Sequence, residues 1–313
     1  MTTMRSIPLS AAELALAMRD ALPYDPNRLD RVLRVDERYG LVEVQAATPW
    51  QSLARAAFRP DDARNAAVPA APISVGQSLA HNSAGPDGRT AVTHVESIAV
   101  VMPNGELKRV SRTAHRELFS LVAGGLGLFG ALYSVTLNIG SLLRAVREAH
   151  TIQIHGAVTP GARTRRVRVL VPPDKVDGFL DDARARCEEW RLPLDCIELR
   201  RTAEEKDSFL RWARREYALL TLHLALPRAL GVEVRTFQLR RALIDAAISR
   251  GGSFPVSFSR NPSMAQIEAC YPELRAFLAE KRRIDPAERL TNPWYRHYRN
   301  LFTRGNCRVR WSN

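Results

Sequence analysis

A cluster of closely spaced glycines is the first feature of this sequence that could do chemistry. Residues 125–130 read G-L-G-L-F-G, which fits the G-x-G-x-x-G pattern of loops that hold the pyrophosphate of a dinucleotide. Glycine suits that task because it has no Cβ, so backbone N–H groups can come close to a phosphate. An NAD-binding loop of this kind needs a strand before it and a helix after it.

The segments around the glycines have the reverse order. Residues 116–123 have the pattern of a helix, and residues 132–137 alternate between apolar and polar as a strand does. We therefore reject NAD binding at this position. Taken alone, the cluster predicts a helix-to-strand turn without a ligand.

Two further segments precede the glycine cluster. Residues 72–85 form a stretch of small and polar residues, which predicts a loop, and residues 95–110 have the pattern of a β-hairpin that turns at residues 103–105. Two glycine-containing loops therefore flank one hairpin. We expect this arrangement to bring bare backbone N–H groups close to a large ligand.

Together these pieces resemble the FAD-linked oxidase family, the vanillyl-alcohol-oxidase-like flavoproteins with a PCMH-type FAD-binding fold. Its small-V-G-G loop is matched by S-V-G-Q-S at residues 74–78, and its hairpin by V-E-S-I-A-V-V at residues 95–101. Its E-L-F and glycine-rich pattern is matched by residues 117–130. Residues 271–277, 283–286 and 290–292 are similar to the ending of the sugar and polyol oxidases of this group, and the sugar- and polyol-oxidase and decaprenylphosphoryl-ribose-oxidase-like branch is the most similar. In the family the first loop lies against the flavin and pyrophosphate, and the last strand lies near the adenine.

The resemblance implies FAD as a non-covalently bound cofactor and a set of residues that would contact it. These are Ser74, Val75, Gly76, Gln77, Ser78, His81, Asn82, Gly85, Gly125, Gly127, Gly130 and Leu132. Asn82 could hydrogen-bond an edge of the flavin ring, although a loop asparagine more often satisfies its own backbone.

The chain also departs from the family. A second glycine loop, of the G-x-G-H/R-S kind, cradles the pyrophosphate in the family and has no counterpart between Met1 and Gly40, so we expect a shortened FAD-binding domain. In the most similar branch a histidine and a lysine take part in catalysis, and their positions hold Ala84 and Phe258 here. Arg260 is an alternative anion or flavin contact. The catalytic residues are therefore not assigned.

The resemblance and the alternating segments together predict an α+β fold. We expect a shortened PCMH-type FAD-binding domain at residues 1–142 and a cap domain at 143–285, an antiparallel sheet covered by helices. Residues 286–313 would return to the FAD-binding domain. In the cap, the pattern predicts a crossover at 140–147, a helix at 203–215 and a short strand at 254–258.

Other residues could line a binding site. Glu198 and Arg200 fall on a predicted strand, where facing a cleft and facing solvent are about equally expected. His223 lies in an apolar strand, where a histidine is more often a satisfied core residue. The segment W-Y-R-H-Y-R at residues 294–299 could bind an anion or pack as an aromatic tail.

The chain is strongly basic. Lys and Arg number 46 against 33 Asp and Glu, which gives a net charge of +13, and nearly all of the cations are arginine. The arginines are scattered and no nucleic-acid-binding motif accompanies them, so we expect no nucleic-acid partner. The cysteines at 187, 196, 270 and 307 form no C-x-x-C pair, and no run is apolar enough to span a membrane. These features predict a cytoplasmic protein.

Two functions follow from this sequence. The first is an FAD-dependent oxidoreductase that oxidises a small alcohol or sugar-like substrate by hydride transfer to the flavin. The second is a catalytically degenerate homologue that acts as a scaffold or accessory subunit with a protein partner. The loop with Val75 and Gly76 and the glycine turn at 124–130 favour the first, and the missing pyrophosphate loop and the apolar residues at Ala84 and Phe258 favour the second.

Overall fold

The chain divides into two compact units. The computed structural model describes residues 6–59, 73–85, 87–148, 152–156, 163–259 and 262–306. The first unit comprises Met1–Ala149, Lys206–Arg211 and Arg275–Asn313, and the second comprises His150–Glu205 and Trp212–Leu274. The boundaries therefore fall at 149 and 274, where the sequence predicted 142 and 285, and a short segment within the second stretch belongs to the first unit.

The first unit is built on an antiparallel sheet. Among the described residues, five strands lie in the order β1-β2-β5-β3-β4. They are β1 (Val32–Asp36), β2 (Leu41–Gln45), β3 (Val95–Val101), β4 (Leu107–Ser111) and β5 (Ala131–Asn138). The predicted hairpin is confirmed, because β3 and β4 pair from Ser97 with Ser111 to Val101 with Leu107.

Helices pack around this sheet. They are α1 (Ala11–Arg19), α2 (Trp50–Ala57), α3 (Val75–Ala80), α4 (Arg116–Val122), α5 (Ile139–Arg147), α9 (Leu274–Ile284) and α10 (Pro293–Asn306). The crossover predicted at 140–147 is instead the helix α5, which begins where the side chain of Asn138 accepts a hydrogen bond from the backbone of Ser141. Phe277 of α9 packs edge-on against Phe129, with ring centroids 5.0 Å apart.

The second unit also contains an antiparallel sheet. Its described strands lie in the order β6-β8-β9-β7, and the α+β class is confirmed. The strands are β6 (Ile152–Gly156), β7 (Thr164–Val171), β8 (Leu194–Thr202) and β9 (Tyr217–Ala225), and the helices are α6 (Val176–Glu189), α7 (Val232–Ile248) and α8 (Met264–Cys270). Every residue of β9 except Ala225 is buried, because this strand lies inside the sheet.

The prediction of a helix at residues 203–215 is wrong. These described residues form no helix, and residues 206–211 pack with the first unit. Asp207 accepts a hydrogen bond of 2.7 Å from Arg112, and the backbone N–H of Phe209 donates to the carbonyl of Ser120 at 2.8 Å. Tertiary contacts have overridden the local helical preference of the segment.

The strand predicted at residues 254–258 is also wrong. Val256–Phe258 is a short 3-10 turn, and the pairing with β7 is confined to a bridge between Ser253 and Leu170. Pro255 lies two residues after Ser253, where the next bond of a ladder would form, and it has no N–H to donate, which prevents the pairing from continuing.

Replacing Tyr271 by phenylalanine is expected to lower the free energy of unfolding of the second unit by about 1 to 3 kcal/mol. The Tyr271 hydroxyl is buried, donates to the carbonyl of Phe254 and accepts from the N–H of Val256 at 3.3 Å. Phenylalanine would leave both backbone groups without this partner. Urea unfolding would measure the effect, with Tyr39→Phe as a control because Tyr39 is 66% exposed. Equal stability of the two variants would contradict the prediction.

Candidate functional site

Residues 75–80, which the sequence predicted as part of a loop, form the helix α3. Ser74 is its N-cap: the Ser74 hydroxyl accepts from the N–H of Gln77 at 3.1 Å. The Gln77 side chain in turn accepts from the N–H of Ser74 at 3.2 Å. This reciprocal pair is a capping box, and it explains why a stretch of small residues becomes helical.

The first N–H groups of α3 are used within the protein. Val75 donates to the carbonyl of Thr48 at 3.0 Å, and Gly76 donates to the carbonyl of Ala46 at 2.8 Å. An added Cβ on Gly76 would lie 2.6 Å from the Ala46 oxygen, so this glycine permits a close approach of backbone to backbone. The helix start is therefore held against the end of β2 by its own hydrogen bonds.

The other end of α3 meets the glycine turn that follows α4. Gly124 donates its N–H to the carbonyl of Leu79, and Leu126 donates to the carbonyl of Ala80, both at 2.9 Å. The side-chain amide of Asn292 donates to the carbonyl of Leu126 at 3.0 Å. The structure thus brings together the two glycine-containing segments that the sequence singled out.

The glycines of this turn differ in their surroundings. A Cβ on Gly125 would lie 1.9 Å from the carbonyl oxygen of Leu121, and one on Gly130 would lie 2.4 Å from a methyl group of Val100. Both are therefore needed for packing. Gly127 has a φ of +71°, and an added Cβ would meet no heavy atom within 4 Å. Leu132 pairs with Val100 in the sheet.

The remaining predicted contacts lie along and after α3. Ser78 is buried, and its hydroxyl accepts from the indole N–H of Trp50 at 2.8 Å. His81 is the C-cap residue of α3. Gly85 lies in the loop that follows and donates its N–H to the carbonyl of Arg89 at 2.6 Å.

Asn82 connects three segments of the first unit. It is 1% exposed, its side-chain oxygen accepts from the N–H of Val92 at 3.0 Å, and its amide donates to the Ser208 hydroxyl at 3.3 Å. Asn82 has a φ of +45°, which asparagine tolerates better than most residues. This side chain holds the loop before β3 and the segment 206–211 against the end of α3.

Replacing Asn82 by alanine is expected to lower the free energy of unfolding by about 2 to 4 kcal/mol. The substitution leaves the buried N–H of Val92 without its acceptor, which costs about 1 to 3 kcal/mol, and the left-handed backbone adds about 1 kcal/mol. Asn82→Gly separates the two terms because glycine tolerates this φ. Denaturant unfolding should show that the free energy of unfolding is highest for the wild type, lower for N82G and lowest for N82A. Equal values for the two variants would show that the left-handed backbone contributes no cost.

Two residues of this region were missed by the sequence reasoning. The Arg112 guanidinium donates to the carbonyl of Val92 at 2.9 Å and to the carboxylate of Asp207 at 2.7 Å. Gln45 is fully buried; its side-chain oxygen accepts from the N–H of Arg31 at 3.0 Å, and its amide nitrogen has no hydrogen-bond partner among the described residues. The only sequence signal for Gln45 was its position in the alternating strand β2, which places its side chain on a buried face.

The candidates in the second unit lie on its sheet. Glu198 and His223 face each other across β8 and β9, with 3.4 Å between the carboxylate oxygen and the imidazole Nε2. His223 is buried, whereas Glu198 and Arg200 are half-buried. The Arg168 guanidinium lies over the ring of Phe258 at 4.5 Å, and Arg260 lies outside the described residues.

The aromatic residues of the segment 294–299 are packed inside the first unit. Trp294, Tyr295 and Tyr298 are all buried. The Tyr295 hydroxyl donates to the Glu288 carboxylate at 2.8 Å, and burial first, together with this bond, raises the pKa of Tyr295 to about 12. The segment therefore packs as an aromatic tail.

Comparison with known proteins identifies the class of domain. Residues 12–111, from α1 to the end of β4, match the profile of a family described as an FAD binding domain. The match indicates that the cofactor is FAD. It covers the part of the chain that contains α3 and the β3–β4 hairpin.

One curated relative is an "uncharacterized oxidoreductase ORF5 in fasciation locus" from Rhodococcoides fascians. The two sequences are 26% identical over 116 residues, which is 36% of this chain. The aligned part spans 26% of the length of that relative. The likeness is therefore to one segment of an oxidoreductase and supports the FAD-linked oxidase resemblance without resolving the branch.

The described residues fit FAD in part. Gly127 has open space on the side where a Cβ would lie, and the fully buried amide nitrogen of Gln45 lacks a hydrogen-bond partner among the described residues. They lie beyond opposite ends of α3, because Leu126 bonds to Ala80 and Ala46 bonds to Gly76. The N-terminus of α3 does not fit a phosphate, because its N–H groups are already used.

The described part of the chain carries neither a candidate membrane span nor a candidate metal site. Within it, no helix combines the length and the apolar character that crossing a bilayer would require. Nor do its His, Cys, Asp and Glu side chains gather in threes or more where a metal ion could be held.

Proposed function

We propose that this protein is an FAD-dependent oxidoreductase that oxidises the CH–OH group of an alcohol or sugar-like substrate. The observation that carries the proposal is the match of residues 12–111 to an FAD binding domain. The oxidoreductase relative supports the class of reaction. The substrate class rests on the resemblance of residues 271–277, 283–286 and 290–292 to the ending of the sugar and polyol oxidases.

The chain's own residues would bind and orient the cofactor. The backbone of Gly127 offers close approach without a side chain, and the amide of Gln45 offers a donor that is buried and unused among the described residues. A bound flavin would supply the acceptor for a hydride from the substrate carbon. Binding would be non-covalent and would rely on these contacts, since the N–H groups that start α3 serve the fold.

A second function is favoured by one specific observation. Ser74, Val75, Gly76 and Gln77 all use their N–H groups within the protein, so the loop expected to hold phosphate has a structural role. Together with the apolar residues at Ala84 and Phe258, this supports a catalytically degenerate homologue. Such a protein would act as a scaffold or accessory subunit that docks to a protein partner.

Flavin retention tests the choice between these functions. The purified protein would be mixed with excess FAD and desalted, and its visible absorption would be recorded. We expect bound flavin in the wild type and loss of most of it in Gly127→Asn, because asparagine tolerates a positive φ but places a side chain in the open space. Gly178→Ala, in open space in the second unit, is the control and should retain the flavin.

The outcomes separate the two proposals. Bands that alcohols or sugars bleach under anaerobic conditions would establish the oxidoreductase. A wild-type protein that stays colourless at saturating FAD would overturn it and leave the scaffold. Equal flavin retention in wild type and Gly127→Asn would remove Gly127 from the site.

We also propose a cytoplasmic location with reduced thiols. Cys187, Cys196 and Cys270 are free and buried. Burial first, with the nearby Glu188, raises the pKa of the Cys187 thiol to about 11, which keeps it protonated and unreactive near neutral pH. Buried free thiols are typical of proteins from a reducing compartment.

A further inference from the structure

The second unit contains a cavity rich in arginine. Its volume is about 310 Å³, and it is lined by residues of β7, α7 and the turn that follows Ser253. This volume is at the lower end of the range of about 300 to 1,000 Å³ that small-molecule sites occupy. Its charged lining residues are Arg165, Arg166, Arg168 and Arg240.

The positive charge of two of these residues is not balanced by an ion pair. Arg165 has Glu233 at 3.4 Å, and Glu233 also pairs with Arg163. In the described part of the chain, Arg166 and Arg168 have no carboxylate within 4 Å. An anion that entered the cavity would therefore meet positive charge that no ion pair among the described residues neutralises.

Arg168 is partly buried against an aromatic ring, which favours its interaction with an anion. Its guanidinium lies 4.5 Å from the centre of the Phe258 ring, which fixes one face of the group against an aromatic surface. Burial lowers the pKa of Arg168, and the nearby Arg166 lowers it further. Glu198 opposes these effects, and Arg200 adds to them. An arginine stays protonated under all ordinary conditions, so the surplus charge persists.

The backbone of β7 adds a second kind of donor. β7 is an edge strand, and Leu170 exchanges both backbone hydrogen bonds with Ser253 on the side away from β9. Because backbone groups alternate along a strand, the N–H groups of Arg166 and Arg168 point to that same outer side. Residues 164–168 of this edge strand line the cavity together with residues of the turn after Ser253, so the strand offers main-chain donors beside its arginine side chains.

The remaining walls are suited to a small ligand. Val167, Ile244 and Pro255 contribute apolar surface to the cavity. Thr164 and Ser259 contribute hydroxyl groups. This combination of apolar walls with a few convergent cationic donors is typical of sites for small anionic metabolites.

We propose that this cavity is a binding site for the oxyanion group of a small molecule, a phosphate monoester or a carboxylate, held by Arg166 and Arg168. The inference rests on residues of the second unit alone and goes beyond the proposed function. Loss of FAD binding would leave it standing, and loss of anion binding would leave the oxidoreductase proposal standing.

Calorimetric titration of the full chain at low ionic strength tests the site. The probes are inorganic phosphate and acetate, and tighter binding of one identifies the ligand as a phosphate ester or a carboxylate. Arg166→Gln and Arg168→Gln should each weaken binding by about tenfold or more, as expected for the loss of a charge-assisted hydrogen bond. Arg168→Lys keeps the charge and should recover part of the affinity.

A control variant distinguishes a specific anion site from a general effect of positive surface charge. Arg201 is an exposed arginine of the same sheet that pairs with Glu216 at 3.5 Å, and it does not line the cavity. Arg201→Gln removes the same charge and should change the affinity by less than about twofold. Equal weakening by all of the glutamine variants, or no heat with either probe at millimolar concentration, would overturn the proposal. Circular dichroism would confirm that each variant is folded.

Discussion

Replacing Asp285 by asparagine is expected to lower the free energy of unfolding of the first unit by about 3 to 5 kcal/mol. Lys281 and Asp285 form an ion pair one turn apart at the end of α9, and their side chains are 0% and 1% exposed. The Asp285 carboxylate also accepts from the N–H groups of Arg289 at 3.1 Å and Leu290 at 2.8 Å. Asparagine keeps the shape but leaves the Lys281 ammonium buried without its counter-charge.

The pH dependence of this loss has a definite sign. Burial raises the pKa of Asp285, but the hydrogen bonds from Lys281 and the backbone outweigh it and hold the value below 3.8. A carboxylate whose pKa is lowered by folding contributes stability that is present above its unfolded pKa and is lost as pH falls through the folded value. The wild type should therefore lose this contribution below about pH 4, and Asp285→Asn should lack that part of the acid transition.

Lys281 determines how the stability of the variant changes at alkaline pH. Burial lowers the pKa of Lys281, although Asp285 counteracts it. In Asp285→Asn that opposing charge is gone, so the folded state favours neutral Lys281 still more. The unfolded chain then binds more protons, and the variant should regain stability as pH rises through the lowered pKa towards about 10.4, the ordinary lysine value.

Urea unfolding of wild type and variant between pH 3 and pH 10 would measure both the acidic and the alkaline change in stability. The double variant Lys281→Met with Asp285→Asn is the control and should be more stable than Asp285→Asn alone, because it removes the unpaired ammonium while the asparagine oxygen still accepts from the N–H groups of Arg289 and Leu290. If the single variant lost less than about 1 kcal/mol at pH 7, the pair would be contributing like an exposed one.

Gly125→Ala is the second substitution with a large expected effect. Its Cβ would lie 1.9 Å from the Leu121 carbonyl oxygen and 3.0 Å from the ring of Phe129. Backbone cannot give way as a flexible side chain does, so the turn after α4 must shift. We expect the free energy of unfolding to fall by about 2 to 4 kcal/mol, within the range of severe overpacking and strain.

Two other glycines provide the comparison. Gly127→Ala meets no atom within 4 Å and carries only the cost of a left-handed alanine, about 1 to 2 kcal/mol. Gly178 lies in α6 in open space, so Gly178→Ala should stabilise the second unit by about 0.5 to 1 kcal/mol. Thermal unfolding followed by circular dichroism would rank the variants. A Gly125→Ala protein as stable as Gly127→Ala would show that the turn can relax.

Local pattern predicted most of the strands and few of the contacts between them. The alternation of residues 41–45 and 95–101 was enough to place β2 and β3, because one face of each must be buried. The segment at 203–215 failed because its partners, Arg112 and Asn82, are about a hundred residues away in sequence. Local propensity carries no information about such contacts.

The candidate sites show the same division. The small and polar residues of 72–85 suggested a loop, whereas the spacing of Ser74 and Gln77 is a capping box that indicates a helix. That signal was available and was outweighed by the small residues. The buried amide of Gln45 and the arginine cavity depend on register and on the edge position of β7, which a single sequence does not specify.

The return of residues 206–211 to the first unit decides how the chain can be cut. The polypeptide passes from one unit to the other after residues 149, 205, 211 and 274, so neither unit is one uninterrupted stretch of sequence. A fragment spanning 150–274 would display Asp207 and Phe209 without Arg112 and Phe277, the residues they contact. An exchange of residues 150–274 between homologues would therefore also require exchange of the residues of the first unit that contact the segment 206–211.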